Sequence, residues 1–399
     1  MSDFETAVIL LKFPAGSPPP PLEKDVAGIP LFKRLVLTLG RAGLRDIRAF
    51  GPDLSAQQRE TLQKEVEGDP RFRATFSWRE TWEDAVPAEP FLLVKGPVLT
   101  THKTVHEFLE RCQREQRETQ DAIVGLYTPG SQSGGLFMIP AARRNEMASL
   151  FVSGELKGHI DIVSLNEPLY FWSGVPDTRS LRGAEWKFIQ SHRHHYHQAM
   201  DIAFNALFSL PISSLLVKLP VTPNQLTLFG LAIGLGAGWF FAQGTYLWGV
   251  AGAILLALTA IWDCCDGDVA RLKFMESDFG ETLDTACDNI INVFIFTGMM
   301  IGVAHTRGLG YALVPFALLA LGGGTIFYLI YSHEGGKGAF FKDTPIYDVI
   351  QVLASRNFIY VILLFALMGG LDWFLWLAGI GSNVFALALY RVRQSKTAI

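Results

Sequence analysis

The chain has 399 residues, 49% apolar and only 18% charged, with a mean hydropathy of +0.25. A soluble globular protein carries about 25% charged residues, so this chain is short of charge. It is rich in Gly (38) and Phe (29), as membrane helices are. That balance excludes a disordered chain, a collagen-like fibre and a small disulfide scaffold, and a net charge of −4 argues against a nucleic-acid binder.

Up to about residue 200 the pattern is that of a soluble α/β protein. ETAVILLKF (5–13) reads as a buried strand and is followed by the Pro-rich PAGSPPPP (14–21). IPLFKRLVLTLGRAG (29–43) has apolar residues at helical spacing. Strands at 46–50, 90–96 and 122–127 and helices at 54–67 and 101 to about 118 continue the alternation. Such interleaving implies a parallel sheet covered on both faces. Cysteines 112, 264, 265 and 287 form no CxxC pair, which fits a reducing compartment. The opening MSDFETAV has no basic stretch leading into an apolar one, so no cleaved signal peptide is expected.

From about residue 205 the character changes. The stretches 226–244, 246–262, 289–304 and 309–331 contain no charged residue, and each is about long enough to cross a bilayer core. A further apolar stretch, 358–390, reads as two short helices around Gly369-Gly370, giving six crossings. Lys218, Arg271, Lys273, Lys337, Lys342, Arg356, Arg391, Arg393 and Lys396 fall in loops on one side, against Arg307 and Asp372 on the other. The positive-inside rule then places both termini at the cytoplasmic face of the membrane. Three domains are expected: an α/β domain over 1–175, a linker and interfacial helix over 176–219, and a six-helix membrane domain over 220–399. SGVPDTRSLRG (173–183) has the composition of a linker, and SHRHHYH (191–197) suits a wet basic face toward lipid headgroups.

The chemistry is concentrated in Trp262 to Asn289, which holds eight acidic residues. Carboxylates at the end of an apolar helix are costly and call for partners. Asp263 and Asp266 are three apart, Asp284 and Asp288 four apart, so each pair shares a helix face. If the second helix returns beside the first, four carboxylates converge on an oxygen-rich site suited to Mg²⁺ or Mn²⁺. Gly267, Ala270 and Gly280 leave the adjoining surface without bulk, and Arg271 adds a fork of donors for phosphate.

These residues fit D-x2-D-G-x2-A-R-x8-G-x3-D-x3-D at every fixed position, and the region from about 185 to 399 resembles the CDP-alcohol phosphotransferases, six-helix membrane enzymes. TPNQLT (222–227) is similar to a Pro-Asn element of that family. The resemblance implies transfer of a phospho-alcohol group from a CDP-alcohol to an alcohol or lipid acceptor, with release of CMP. It implies two divalent ions held by Asp263, Asp266, Asp284 and Asp288, with Asp288 as general base. A CDP pocket would be lined by Asn224, Gly267, Ala270, Arg271 and Gly280, and homodimers are common in the family. Arg356 sits where relatives with phosphorylated acceptors carry Arg, although a snorkelling anchor reads equally well there. Asn289 replaces the Arg of inositol-phosphate users, so the acceptor stays open.

The front domain resembles the sugar-phosphate nucleotidyltransferases in its order ETAVILLKF…AGIPLFKRLVLTLGRAGLRDIRAFG. Those enzymes need a Gly-rich phosphate loop where this chain has Phe13-Pro14-Ala15-Gly16-Ser17, and a metal-binding Asp where it has Lys95-Gly96-Pro97. A degenerate, non-catalytic domain is expected. The alternative is a bifunctional enzyme that also makes its CDP-alcohol from CTP and an alcohol phosphate.

Overall fold

The computed structural model describes residues 4–12, 22–116, 122–126, 135–146, 160–163, 172–173, 178–192, 201–331 and 357–397. They fall into two compact units. The first runs through His194 and takes in Val217–Leu219 and Leu272–Phe274; the second comprises the remainder.

The first unit is built on a seven-stranded sheet. In chain order its elements are β1 (Thr6–Leu10), the short pair β2 (Asp25–Val26) and β3 (Ile29–Pro30), α1 (Leu31–Arg41), β4 (Asp46–Phe50), α2 (Ala56–Glu67), β5 (Thr75–Trp78) and α3 (Trp82–Ala85). There follow β6 (Phe91–Lys95), β7 (Val98–Leu99), α4 (His102–Gln116), β8 (Ile123–Leu126), β9 (Leu136–Ile139), β10 (Ile160–Val163) and β11 (Trp172–Ser173). The strand order is β10-β8-β9-β6-β1-β4-β5. Every ladder is parallel except those of β9, which runs antiparallel to both β6 and β8. The expected parallel sheet is present, with β9 as one antiparallel strand within it.

Burial on both faces explains the run TAVIL in β1, all of it buried. Phe32, Leu35, Val36 and Leu39 of α1 pack with Ala7 and Ile9 on one face, while Val8 and Leu10 join Phe91 and Leu93 on the other. Asp69, 5% exposed, is held by Lys33 at 2.6 Å and by Arg71 Nε at 2.7 Å.

Residues 178–183 are not linker. They begin α5 (Thr178–Ser191), whose Leu181, Ala184, Phe188 and Ile189 are buried. That apolar face, together with Glu185 accepting from the Ala27 N–H at 2.9 Å, carries the first unit past the expected boundary at 175. Of SHRHHYH, His192 lies within 3.0 Å of the Phe188 carbonyl; residues 193–197 lie outside the described residues, as do the segment 13–21 and Arg356.

The second unit is helical: α6 (Ala206–Leu216), α7 (Pro223–Ala242), α8 (Tyr246–Leu272, whose final residue falls in the first unit), α9 (Asp278–Arg307), α10 (Leu309–Tyr331), α11 (Phe358–Leu367) and α12 (Leu371–Thr397). Five helices, α7 to α10 and α12, are long and apolar enough to cross a membrane. The expected count of six is not reached among the described residues, because α11 has only 10. The apolar run at 358–390 is divided where Gly369 takes φ +71°, a left-handed conformation that ends α11, and its second part is a long helix rather than a short one.

Small residues set the packing. A Cβ on Gly298 of α9 would collide with the Gly238 carbonyl of α7, and one on Gly238 would stand 2.9 Å from the Phe294 carbonyl. Such contact brings helices close where hydrocarbon supplies no hydrophobic drive. Large apolar side chains, among them Trp239, Leu321, Phe327 and Tyr328, point outward, as lipid solvation permits.

Candidate active site

The acidic residues lie where the last turns of α8 meet the first turns of α9. α8 closes with the Met275 N–H donating to the Ala270 carbonyl at 2.8 Å, after Phe274 has taken a left-handed backbone (φ +55°). α9 starts cleanly. Its N-cap Ser277 accepts from the Gly280 N–H at 3.0 Å, and Asp278 and Glu281 occupy its first turn, where the helix dipole favours negative charge. Gly280 thus sits in the first turn of α9.

α7 supplies the third wall. Thr222 and Gln225 form a capping box ahead of it, with Pro223 at the first helical position. Trp262 of α8 donates to the Leu226 carbonyl at 2.8 Å, and Thr227 donates to Asp266 Oδ2 at the same distance. The entry to α7 is therefore tied to the acidic end of α8.

Three carboxylates converge. Asp263, Asp284 and Asp288, all partly buried, each offer an oxygen within 4.8 Å of the others. A hard, all-oxygen donor set of this size fits Mg²⁺ or Mn²⁺. Asp266, expected as the fourth member, is 7% exposed and lies outside this group of three, its Oδ2 engaged by Thr227.

Two cavities meet at Thr227, Asp266 and Asp284. The larger, about 440 Å³, is lined by Asn224, Gly267, Ala270, Arg271 and Gly280, the five residues expected to form one pocket. A Cβ on Gly280 would stand 3.4 Å from Asn224 Oδ1, and one on Gly267 would stand 3.1 Å from Arg271 Nη2. The bareness of Gly267 thus leaves room for the Arg271 guanidinium beside it. The smaller, about 100 Å³, opens on Asp263, Asp288, Thr259, Asn292 and Phe358.

The sequence offers only a weak signal for Thr227, the last residue of TPNQLT, and for Asp268, one of eight acidic residues in 262–289. Nothing in the sequence pairs Ser213 with Asp268, 55 positions later, yet its hydroxyl donates to Asp268 Oδ2 at 3.0 Å.

Residues 220–382 match the family model of the CDP-alcohol phosphatidyltransferases. The matched residues all lie in the helical part of the chain. The chain is 37% identical over 113 residues to a phosphatidylinositol phosphate synthase of Corynebacterium glutamicum, covering 28% of this chain and 50% of that one. It is 30% identical over 198 residues to a bifunctional IPC transferase and DIPP synthase of Aquifex aeolicus, covering 48% and 43%. The chain spans about half the length of the curated relatives it matches. Among solved structures, phosphatidylinositol phosphate synthase of Mycobacterium tuberculosis with CDP-DAG bound covers 47% of this chain and 93% of its own, at 23% identity and a TM-score of 0.35. A putative glucose-1-phosphate thymidylyltransferase of Bacillus anthracis covers 45% and 93%, at 11% identity and a TM-score of 0.32.

Proposed function

We propose that this chain is a membrane CDP-alcohol phosphotransferase: it moves a phospho-alcohol group from a CDP-alcohol to a hydroxyl acceptor and releases CMP. The observation that carries the reading is the convergence of Asp263, Asp284 and Asp288 at the junction of two cavities of unequal size. The larger, with Arg271 and small residues along its wall, suits the CDP moiety; the smaller, beside Asp288, suits the entering hydroxyl.

In this reading Asp263, Asp284 and Asp288 hold Mg²⁺ or Mn²⁺, with Asp266 completing the acidic rim. Bound there, divalent cations supply charge neutralisation and Lewis acidity at the diphosphate. The chain's own residues position the reactants. Arg271 offers planar donors to phosphate oxygens, and the bare faces of Gly267 and Gly280 let the nucleotide lie against backbone. Asp288 takes the proton of the acceptor hydroxyl. The acceptor oxygen bonds to the phosphorus that carries the alcohol, the anhydride P–O bond breaks, and CMP leaves with the bonding pair. Alignment of attack and departure carries most of the catalysis, because phosphoryl transfer needs little covalent help from protein.

The acidic end of the bundle is assigned to the cytoplasmic face. The loop charges support this, as does the pairing of Arg307 with Asp372 at 3.3 Å, which joins the ends of α9 and α12 away from the carboxylates. The front unit is read as non-catalytic, because Lys95 ends β6 and Gly96-Pro97 follow where the resemblance calls for a metal-binding Asp. A bifunctional role is the second reading, favoured by the name of the Aquifex aeolicus relative. The test is to incubate the purified chain with Mg²⁺ or Mn²⁺, a panel of CDP-alcohols and hydroxyl acceptors, and follow CMP. Acceptor-dependent CMP release supports the transferase; no CMP from any pair overturns it. Pyrophosphate release from CTP with an alcohol phosphate would establish the bifunctional reading.

A further inference from the structure

The motif D-x2-D-G-x2-A-R leaves the position after its glycine free, and this chain places Asp268 there. Asp268 is 0% exposed. A carboxylate buried on an apolar helix is costly unless partners meet its charge and its lone pairs. Arg271, three residues on, donates from Nη2 to Oδ1 at 3.1 Å. Ser213 of α6, also 0% exposed, donates to Oδ2 at 3.0 Å. The carboxylate thus spans from α6 to a guanidinium that lines the 440 Å³ cavity.

The state of that guanidinium is the second observation. Arg271 Nε is shielded from solvent and has no hydrogen-bond partner among the described residues. The group also lies against Gly267, where an added Cβ would stand 3.1 Å from Nη2 and 3.4 Å from Nη1. A guanidinium has five N–H donors and accepts nothing, so an acceptor-rich anion in the cavity is the natural complement to what Asp268 leaves unused. Asp284 and Asp266 border the same cavity. An Arg271 released by Asp268 would be drawn toward these carboxylates and compete there with a cation.

We infer that Asp268, braced by Ser213, is a positioning residue that holds the Arg271 guanidinium toward the diphosphate of the nucleotide donor and away from the metal-binding carboxylates. The inference rests on the donor assignment above. It predicts an effect on donor affinity rather than on the chemical step.

The experiment uses the full-length chain in detergent with Mn²⁺, reading CDP-alcohol binding by calorimetry, Mn²⁺ binding by electron paramagnetic resonance, and CMP release at saturating donor. Asp268→Asn is expected to raise the donor Kd about tenfold, the scale of one charged hydrogen bond, while kcat changes less than about twofold. Ser213→Ala should raise Kd by about threefold, with Ser213→Thr restoring it, and serves as the second probe if Asp268→Asn folds poorly. In an Arg271→Ala background, Asp268→Asn should add nothing to the donor Kd, because the two act as one unit. Unchanged donor affinity in both Asp268→Asn and Ser213→Ala overturns the inference, as does an undiminished Asp268→Asn effect without Arg271. A wild-type chain that binds Mn²⁺ but no CDP-alcohol overturns the donor assignment itself, and the inference with it.

Discussion

The Thr227 hydroxyl donates to Asp266 Oδ2 at 2.8 Å, joining the second turn of α7 to the acidic end of α8. Asp266 is 7% exposed, so its carboxylate depends on protein donors for part of its solvation. Thr227→Val keeps the shape and removes the donor. It should lower kcat/KM by about tenfold, the cost of stranding one buried acceptor, while Thr227→Ser stays within about twofold of wild type. Steady-state kinetics on the three proteins check this; equal rates for Val and Thr would show that the bond does not support the site.

The proposed function gives the three carboxylates a shared role at the cation and Asp288 a second one as base. Asp263→Asn and Asp284→Asn should each cut CMP release by more than about a hundredfold and weaken Mn²⁺ binding, since a neutral amide cannot balance metal charge. Excess chelator should stop turnover and fresh Mg²⁺ restore it. Asp288→Asn should also stop transfer yet leave donor affinity within about threefold, because a base acts on the acceptor. Donor affinity lost as severely as in Asp263→Asn would make Asp288 chiefly a ligand.

Gly267→Leu tests the larger cavity. A Cβ alone would stand 3.1 Å from Arg271 Nη2, so a full side chain must displace the guanidinium and fill space assigned to the nucleotide. The donor Kd should rise by more than about tenfold with the yield of folded protein unchanged, since neither group belongs to a packed apolar core. Calorimetry with a CDP-alcohol reads this directly. Normal affinity would move the nucleotide elsewhere.

Asp69 makes the first unit acid-sensitive. Burial alone would push its carboxyl up, but hydrogen bonds from Arg71 and Lys33 outweigh that and hold it well below the usual carboxylate range. A group lowered on folding stabilises the fold above its unfolded pKa of about 3.9, and that contribution is lost as pH falls toward the folded value. Thermal unfolding of the first unit's signal should therefore drop below about pH 4, and Asp69→Asn should lower stability at pH 7 while flattening the acid limb. An Asp69→Asn profile parallel to wild type would exclude this pair network as the cause.

Local periodicity made much of this protein legible in its residues. The strand at 46–50 appears as β4 with the same bounds, and the helix at 101 to about 118 appears as α4 (His102–Gln116), because alternation and 3.6-residue spacing act within one element. The same holds for the acidic pairs: residues three or four apart on a helix share a face whatever surrounds them, so Asp263 pairs with Asp266 and Asp284 with Asp288 in the sequence, whereas the structure brings Asp263, Asp284 and Asp288 together. What the tertiary structure decided depends on long-range closure. β9 reverses direction against β6 and β8, which no pattern within LFMI reveals, since a strand buried on both faces looks alike in either sense. α5 is claimed by the first unit through Leu181 and Phe188, although its first residues have a linker's composition. Asp266 was drawn to Thr227, 39 positions earlier, and Asp268 to Ser213, 55 positions earlier, because a buried carboxylate takes the nearest donor that packing delivers. Sequence spacing determined which carboxylates share a helix face; only helix packing decided which of them converge across helices and which receive a hydroxyl from a distant part of the chain.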